Sequence, residues 1–212
     1  LRIAYLVALT IALASATVVK GDLSFTRSDL RLEVQSGFTT VSLPRCISAL
    51  DVGAPSLPIF VARIVIPQGT HVARVSTTPT AAAEVLICSL EVWPVQEPRS
   101  VSGTLPVGFT EPDPLYYGNS PYPADVAVVG KRGSLFGYNI ASVFVAPVQY
   151  TASGRTLTFH PALNLRLETE PDDCAQQSAV KRGGLARRRI ESSIERLVLN
   201  PADVSRFAPK ER

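Results

Sequence analysis

Three thiols and two imidazoles are the side chains of this sequence best suited to covalent chemistry. Hydrolysis by a thiol needs a Cys that attacks as thiolate, a His that holds its proton, and a third group that orients the His. Cys46, Cys88 and Cys174 are the available nucleophiles, and His71 and His160 the available bases. Neither His has a Gly-rich, oxyanion-binding type of segment or an orienting side chain close by, although such partners can come from distant sequence. His160 follows Phe159 in an alternating limb and is expected to face solvent; His71 opens a strand after a turn. These residues give no catalytic dyad, so the chain reads as a non-enzyme. The His pair is too far apart in sequence for a metal site, Asp172-Asp173 is a surface dipeptide, and no Gly-rich phosphate loop follows a strand. No metal or cofactor is expected.

The basic residues offer different chemistry. Lys181-Arg182 and Arg187-Arg188-Arg189 are sites of the kind that trypsin-like processing uses, making Arg182 and Arg189 candidate processing residues; the alternative is a solvated helix face. Residues 1–180 hold 12 Lys/Arg against 14 Asp/Glu, and 181–212 hold 9 against 4. A near-neutral globule thus precedes a basic tail. That tail is interrupted by apolar residues and belongs to an exported chain, so nucleic acid is not expected as a partner.

Export follows from the start of the chain. Arg2, the apolar run Ile3–Leu13 and Ala14-Ser15-Ala16 make a secretory signal peptide with an Ala-x-Ala site, cut after Ala16. Lys20 and Asp22 end the apolar run before the ~18 residues that a membrane span requires, so membrane contact is expected only through the uncleaved signal. The product is secreted or held in the cell envelope. Export permits a Cys46–Cys88 disulfide, with Cys174 left odd; buried free thiols are the other reading.

The elements that position these groups are strands. At 212 residues, 46% hydrophobic, with 17 Pro and 13 Gly, the chain suits a β-rich globule with many turns. Leu23–Val34 and Phe38–Leu43 read as the first strands, Ile59–Ile66 as a central one, and His71–Thr77 and Glu84–Trp93 as the next. Pro94–Pro123 loses all periodicity and is long for a loop in a compact domain, which marks it as functional or a linker. Val126–Val129 resumes a strand and Gly130-Lys-Arg-Gly133 reads as a turn. Val143–Tyr150 and Leu157–Leu167, alternating around Thr151–Arg155 with Gly154 free to take positive φ, read as one antiparallel hairpin and the sheet nucleus. Leu185–Leu199 then carries Ile190, Ile194 and Leu197 at helical spacing and stops at Asn200-Pro201. The expected fold is an all-β antiparallel sandwich, jelly-roll-like, with an N-terminal signal peptide and a short C-terminal helix and linker. The expected divisions are 1–16 signal peptide, 22–170 β-sandwich and 171–212 linker and helix; ending on a linker helix, the chain reads as the front part of something longer.

Several segments in order resemble the N-terminal propeptide domain of gingipain-type, caspase-like cysteine peptidases. They are Gly53-Ala-Pro-Ser-Leu-Pro58 leading into Ile64-Val-Ile-Pro67, Leu115-Tyr-Tyr-Gly118, Arg132-Gly133, and Ala146-Pro-Val-Gln-Tyr150 followed by Thr156-Leu157. The resemblance covers about Asp51–Glu168. It implies a secreted propeptide domain that keeps a following cysteine peptidase domain latent, assists its folding and is then cleaved off. The partner it implies is that catalytic domain, held within the same chain or non-covalently after cleavage. It also implies an inhibitory loop that enters the peptidase cleft; here that is Pro94–Pro114, with Arg99 as its basic residue. A free-standing cell-surface adhesion or carbohydrate-binding module is the alternative reading.

Overall fold

A computed structural model describes residues 17–49, 51–98, 108–172 and 183–210. In chain order the first strands are β1 (Thr17–Ser24), β2 (Arg31–Gln35), β3 (Phe38–Ser42), β4 (Cys46–Ser48), β5 (Pro58–Val65) and β6 (Thr70–Pro79). Next come β7 (Glu84–Ile87), β8 (Ala127–Leu135), β9 (Tyr138–Val145), β10 (Val148–Thr151), β11 (Thr156–Phe159) and β12 (Ala162–Pro171). One α-helix, α1 (Gly184–Glu195), follows. Neighbouring strands pair antiparallel in four small sheets, ordered β1-β12-β6, β4-β5-β9-β8, β10-β11-β7 and β2-β3. The all-β sandwich expected from the alternating patterns is therefore the fold that forms. No described helix is long and apolar enough to cross a membrane.

Period-two burial builds the core. On β12, Leu163, Leu165, Leu167 and Thr169 point inward, and the first three lie opposite Leu23, Gly21 and Val19 of β1. On the other sheet Ala62 and Ile64 of β5 pair with Val143 and Ala141 of β9, all buried. The sheets meet where Gly21 backs onto Ile64 and Leu199: a Cβ placed at Gly21 would lie 3.3 Å from the Leu199 Cβ. One continuous apolar cluster results.

Four local expectations are corrected. The presumed hairpin Val143–Leu167 breaks at Pro147 and Pro161. Only its inner parts pair, Val148↔Phe159 through Thr151↔Thr156, while β9 and β12 run in two different sheets. Proline has no N–H to continue a ladder. At these corners other bonds close the gap: the His160 N–H donates to the Pro147 carbonyl at 2.8 Å, and the Phe25 N–H to the Pro161 carbonyl at 2.7 Å. In the tip it is Arg155 that takes positive φ, at 47°, rather than Gly154. The run Gly130–Gly133 is not a turn but the irregular middle of β8, where register shifts between Val129 and Arg132; the chain reverses at Phe136-Gly137 instead. The first strand region divides into β1 and β2 around a 3₁₀ turn at Arg27–Asp29, and β1 begins at Thr17, upstream of residue 22.

Within 171–212, expected as linker and helix, the helix forms as α1, and it and the residues after it pack onto the strands. Ile194, Val198, Val204 and Phe207 all enter the core cluster. Asn200 is buried, and its side-chain amide accepts from the Val65 N–H at 2.9 Å and donates to the Val65 carbonyl at 2.8 Å. One side chain thus does for the end of β5 what a neighbouring strand would do. Leu199 adds a backbone bond to the Arg63 carbonyl at 2.9 Å.

Candidate functional site

The residues suited to covalent chemistry are scattered. Cys46 on β4 is half-buried and Cys88 is buried, and both are free thiols. Burial pushes the Cys46 thiol up to about 11 against a smaller opposing pull from Arg45, and burial also raises Cys88. A raised thiol pKa withholds the thiolate that nucleophilic attack needs. His71 is exposed on β6, whereas His160 is buried rather than solvent-facing, because the corner at Pro161 interrupts the alternation that would have turned it outward. Among the described residues no hydrogen bond joins either thiol to either imidazole, and no group of three His, Cys, Asp or Glu is placed to hold a metal. Cys174, the signal-cleavage residue Ala16, the loop residue Arg99 and the processing residue Arg182 lie outside the described residues. Arg189 is exposed on α1, its carbonyl accepting from the Ser193 hydroxyl at 2.8 Å.

The long Pro-rich segment has the more developed geometry. Its outgoing stem, Glu91–Gln96, is joined to the fold on both sides. Thr39 of β3 donates to the Glu91 carbonyl at 2.6 Å through its N–H and to the Leu90 carbonyl at 3.0 Å through its hydroxyl. The Trp93 N–H returns a bond to the Thr39 carbonyl at 2.8 Å. On the opposite side the turn Gly53–Ser56 exchanges three bonds with Trp93 and Val95, at 2.8 to 2.9 Å.

That same turn takes the returning stem. The Asp113 N–H donates to the Gly53 carbonyl at 3.0 Å, and Gly53 is buried at φ 81° with the Asp113 Cβ only 3.1 Å from where its own Cβ would lie. Both the left-handed backbone and the close approach demand glycine. Gln96 then ties the stems directly. Its amide nitrogen donates to the Pro94 carbonyl at 2.9 Å and the Thr110 carbonyl at 3.1 Å, and its oxygen accepts from the Thr110 N–H at 2.9 Å.

Aromatic rings fill the base. Phe38, Trp93 and Phe109 pack mutually with centroids 5.4 to 5.6 Å apart. The Tyr117 hydroxyl donates to the Val92 carbonyl at 2.6 Å. Tyr122 exchanges backbone bonds with Tyr150 on β10 and donates its hydroxyl to Asp51 at 3.0 Å. Burial, chiefly, raises the pKa of both tyrosines, so each hydroxyl stays a donor through the neutral range. Proline-rich and without period, the segment is nevertheless seated at both of its described ends.

The motifs Gly53–Pro58, Leu115–Gly118 and Ala146–Tyr150 thus converge around one loop base. Gln96, which ties the loop stems, and Asn200, which completes the end of β5, carry no sequence signal. A lone Gln in a loop and an Asn before a Pro look alike whether exposed or buried.

No family model and no curated protein matches this chain. Among solved structures, it is similar to a chain in the complex of the pro- and mature domains of RgpB from Porphyromonas gingivalis, with TM-score 0.62 and 15% identity, covering 89% of this chain and 95% of that one. It is also similar to a chain in a structure addressing the zymogenic latency of gingipain K from Porphyromonas gingivalis, with TM-score 0.56 and 20% identity, covering 74% of this chain and 92% of that one. At these identities the likeness establishes a shared fold.

Proposed function

We propose that this chain is a secreted propeptide domain that keeps a following cysteine peptidase domain latent and assists its folding, with the Pro94–Pro114 loop docked in the peptidase cleft. The observation that carries the reading is the fold, shared over most of both chains with a complex of pro- and mature domains. The anchored loop base supports it. The stems, tied by Gln96 and seated on the Gly53 turn, are already ordered, so docking spends little contact energy on holding them in place. Arg99 is the one basic residue between Glu91 and Val126. In this reading its guanidinium pairs in two-pronged fashion with a carboxylate in the peptidase's specificity pocket.

The mechanism is occlusion: this chain supplies no reacting group, and the chemistry belongs to the Cys and His of the partner. The gene product that joins the two is a cysteine endopeptidase. Release comes from cleavage at Arg182 or Arg189. A peptidase takes its substrate extended, so Arg189 is cut only once α1 unwinds. That helix starts at Gly183 without a side-chain cap and has no acidic residue in its first turn, which makes its N-terminal end inexpensive to open. Signal removal after Ala16 leaves Thr17, where β1 begins its full-length pairing with β12.

The test is inhibition of the caspase-like peptidase domain encoded downstream by the separately added chain. Tight inhibition is expected, with Arg99→Ala raising the inhibition constant by roughly 10- to 100-fold, as for a buried arginine anchor. An unchanged constant removes Arg99 from the mechanism. No inhibition by the unaltered chain removes the propeptide reading and leaves a surface module.

A further inference from the structure

His160 sits at the corner where the chain leaves β11 for β12, with its ring buried. Its Nε2 lies 3.0 Å from the Gln149 Oε1. The Gln149 amide nitrogen donates to the Pro123 carbonyl at 2.8 Å and reaches the Ala124 carbonyl at 3.4 Å. Two carbonyl oxygens on that side require the amide nitrogen there, so the Gln149 oxygen faces the ring. The imidazole must therefore donate from Nε2, so the neutral ring is the Nε2–H tautomer. Its Nδ1 is buried with no hydrogen-bond partner.

We propose that His160 is an acid-sensitive latch, holding the end of the long loop, Tyr122–Ala124, against the β10–β11 hairpin through Gln149. A second proton can only go to Nδ1. That makes a buried cation whose new N–H has no acceptor, and such a group is costly enough to expel the ring. Expulsion removes the donor that orients Gln149, and with it the amide's hold on Pro123 and Ala124. The backbone pair Tyr122↔Tyr150 and the Ala146 N–H to Val126 carbonyl bond stand next in line.

The ionisable groups on the surrounding elements do not offset this charge. They are Tyr150 on β10, Tyr122 and Asp125 on the loop end, Glu84 on β7 opposite Phe159, and Arg27, which pairs with Glu84 at 3.6 Å. Burial is what lowers the ring's proton affinity. With the folded value below the unfolded one of about 6.5, the unfolded or opened state binds the proton first. The latch is therefore complete above pH ~6.5, and its contribution is lost as pH falls below that value. The proposal concerns the fold itself and stands whether or not the chain inhibits a peptidase.

The experiment is amide hydrogen exchange on the full chain between pH 7.5 and 5, corrected for intrinsic rates. Protection at Tyr122 and Tyr150 should fall by up to about tenfold per pH unit below ~6.5, while the β12 amides hold theirs. His160→Phe, which cannot titrate, should flatten that dependence. An equal dependence in the variant, or a fall spread evenly over all strands, overturns the proposal. Nitrogen NMR of the ring in the unaltered protein provides a check that needs no His160 variant. A neutral Nε2–H ring that takes its second proton only below the ~6.5 of a free imidazole is the expected result, and a ring that takes its proton at ~6.5 with no change in exchange overturns the latch.

Discussion

Two stretches of this chain lack strand periodicity, and the fold treats them differently. The C-terminal stretch from Ile194 to Phe207 is fastened from within: four apolar side chains enter the core and one buried amide completes the end of β5. The Pro-rich stretch from Pro94 to Pro123 is fastened from its edges by backbone bonds to the Gly53 turn, by Gln96 and by partly exposed aromatic rings. The first arrangement makes a segment part of the globule, so that it opens only when the globule does. The second holds a loop's feet while leaving its contribution to global stability small, which is compatible with the docking role proposed for it.

Three substitutions separate these modes. Asn200→Ala leaves the Val65 N–H and carbonyl buried without partners, so a global loss of about 3 kcal/mol is expected in denaturant unfolding. A loss under about 1 kcal/mol would show that the apolar contacts alone seat the C-terminal stretch. Gln96→Ala removes three partly buried bonds, and about 1 to 2 kcal/mol is expected, felt locally. Exchange at the Thr110 amide should quicken while the β5 and β9 amides keep their protection; an equal loss in both places would erase the distinction between the two stretches. Tyr117→Phe keeps the ring against Tyr150, with centroids 6.1 Å apart, and deletes only the hydroxyl bond to Val92. A loss of about 1 kcal/mol or less is expected from thermal or denaturant melts. A larger one would mean that Tyr117 supports the core as well as the loop base.

Much of the scaffold was legible in the sequence because strands write their burial in period two. Leu163, Leu165 and Leu167, and Val143 and Val145, all face inward as their alternation requires, and the near-continuous apolar run Ile59–Ile66 marked the central strand β5. The β10–β11 turn was legible for the same reason. Less legible was the candidate site. Pro94–Pro123 announced itself by its prolines as an interruption, and Gly53–Pro58 and Leu115–Gly118 as motifs, but nothing in their spacing said that they meet.

By itself, then, the sequence determined an all-β chain, its main inward faces and the place where regular structure stops. These properties depend on side-chain alternation and on the missing N–H of proline, both of which are local. Tertiary structure alone decided that the limbs of Val143–Leu167 part at Pro147 and Pro161 into different sheets, and that His160 is buried. It also decided that Asn200 finishes β5 across 135 residues of chain, and that the Gly53 turn receives both feet of the loop. Each of those outcomes depends on which hydrogen-bonding groups are left without partners once the strands have packed, and that is known only when distant parts of the chain are brought together.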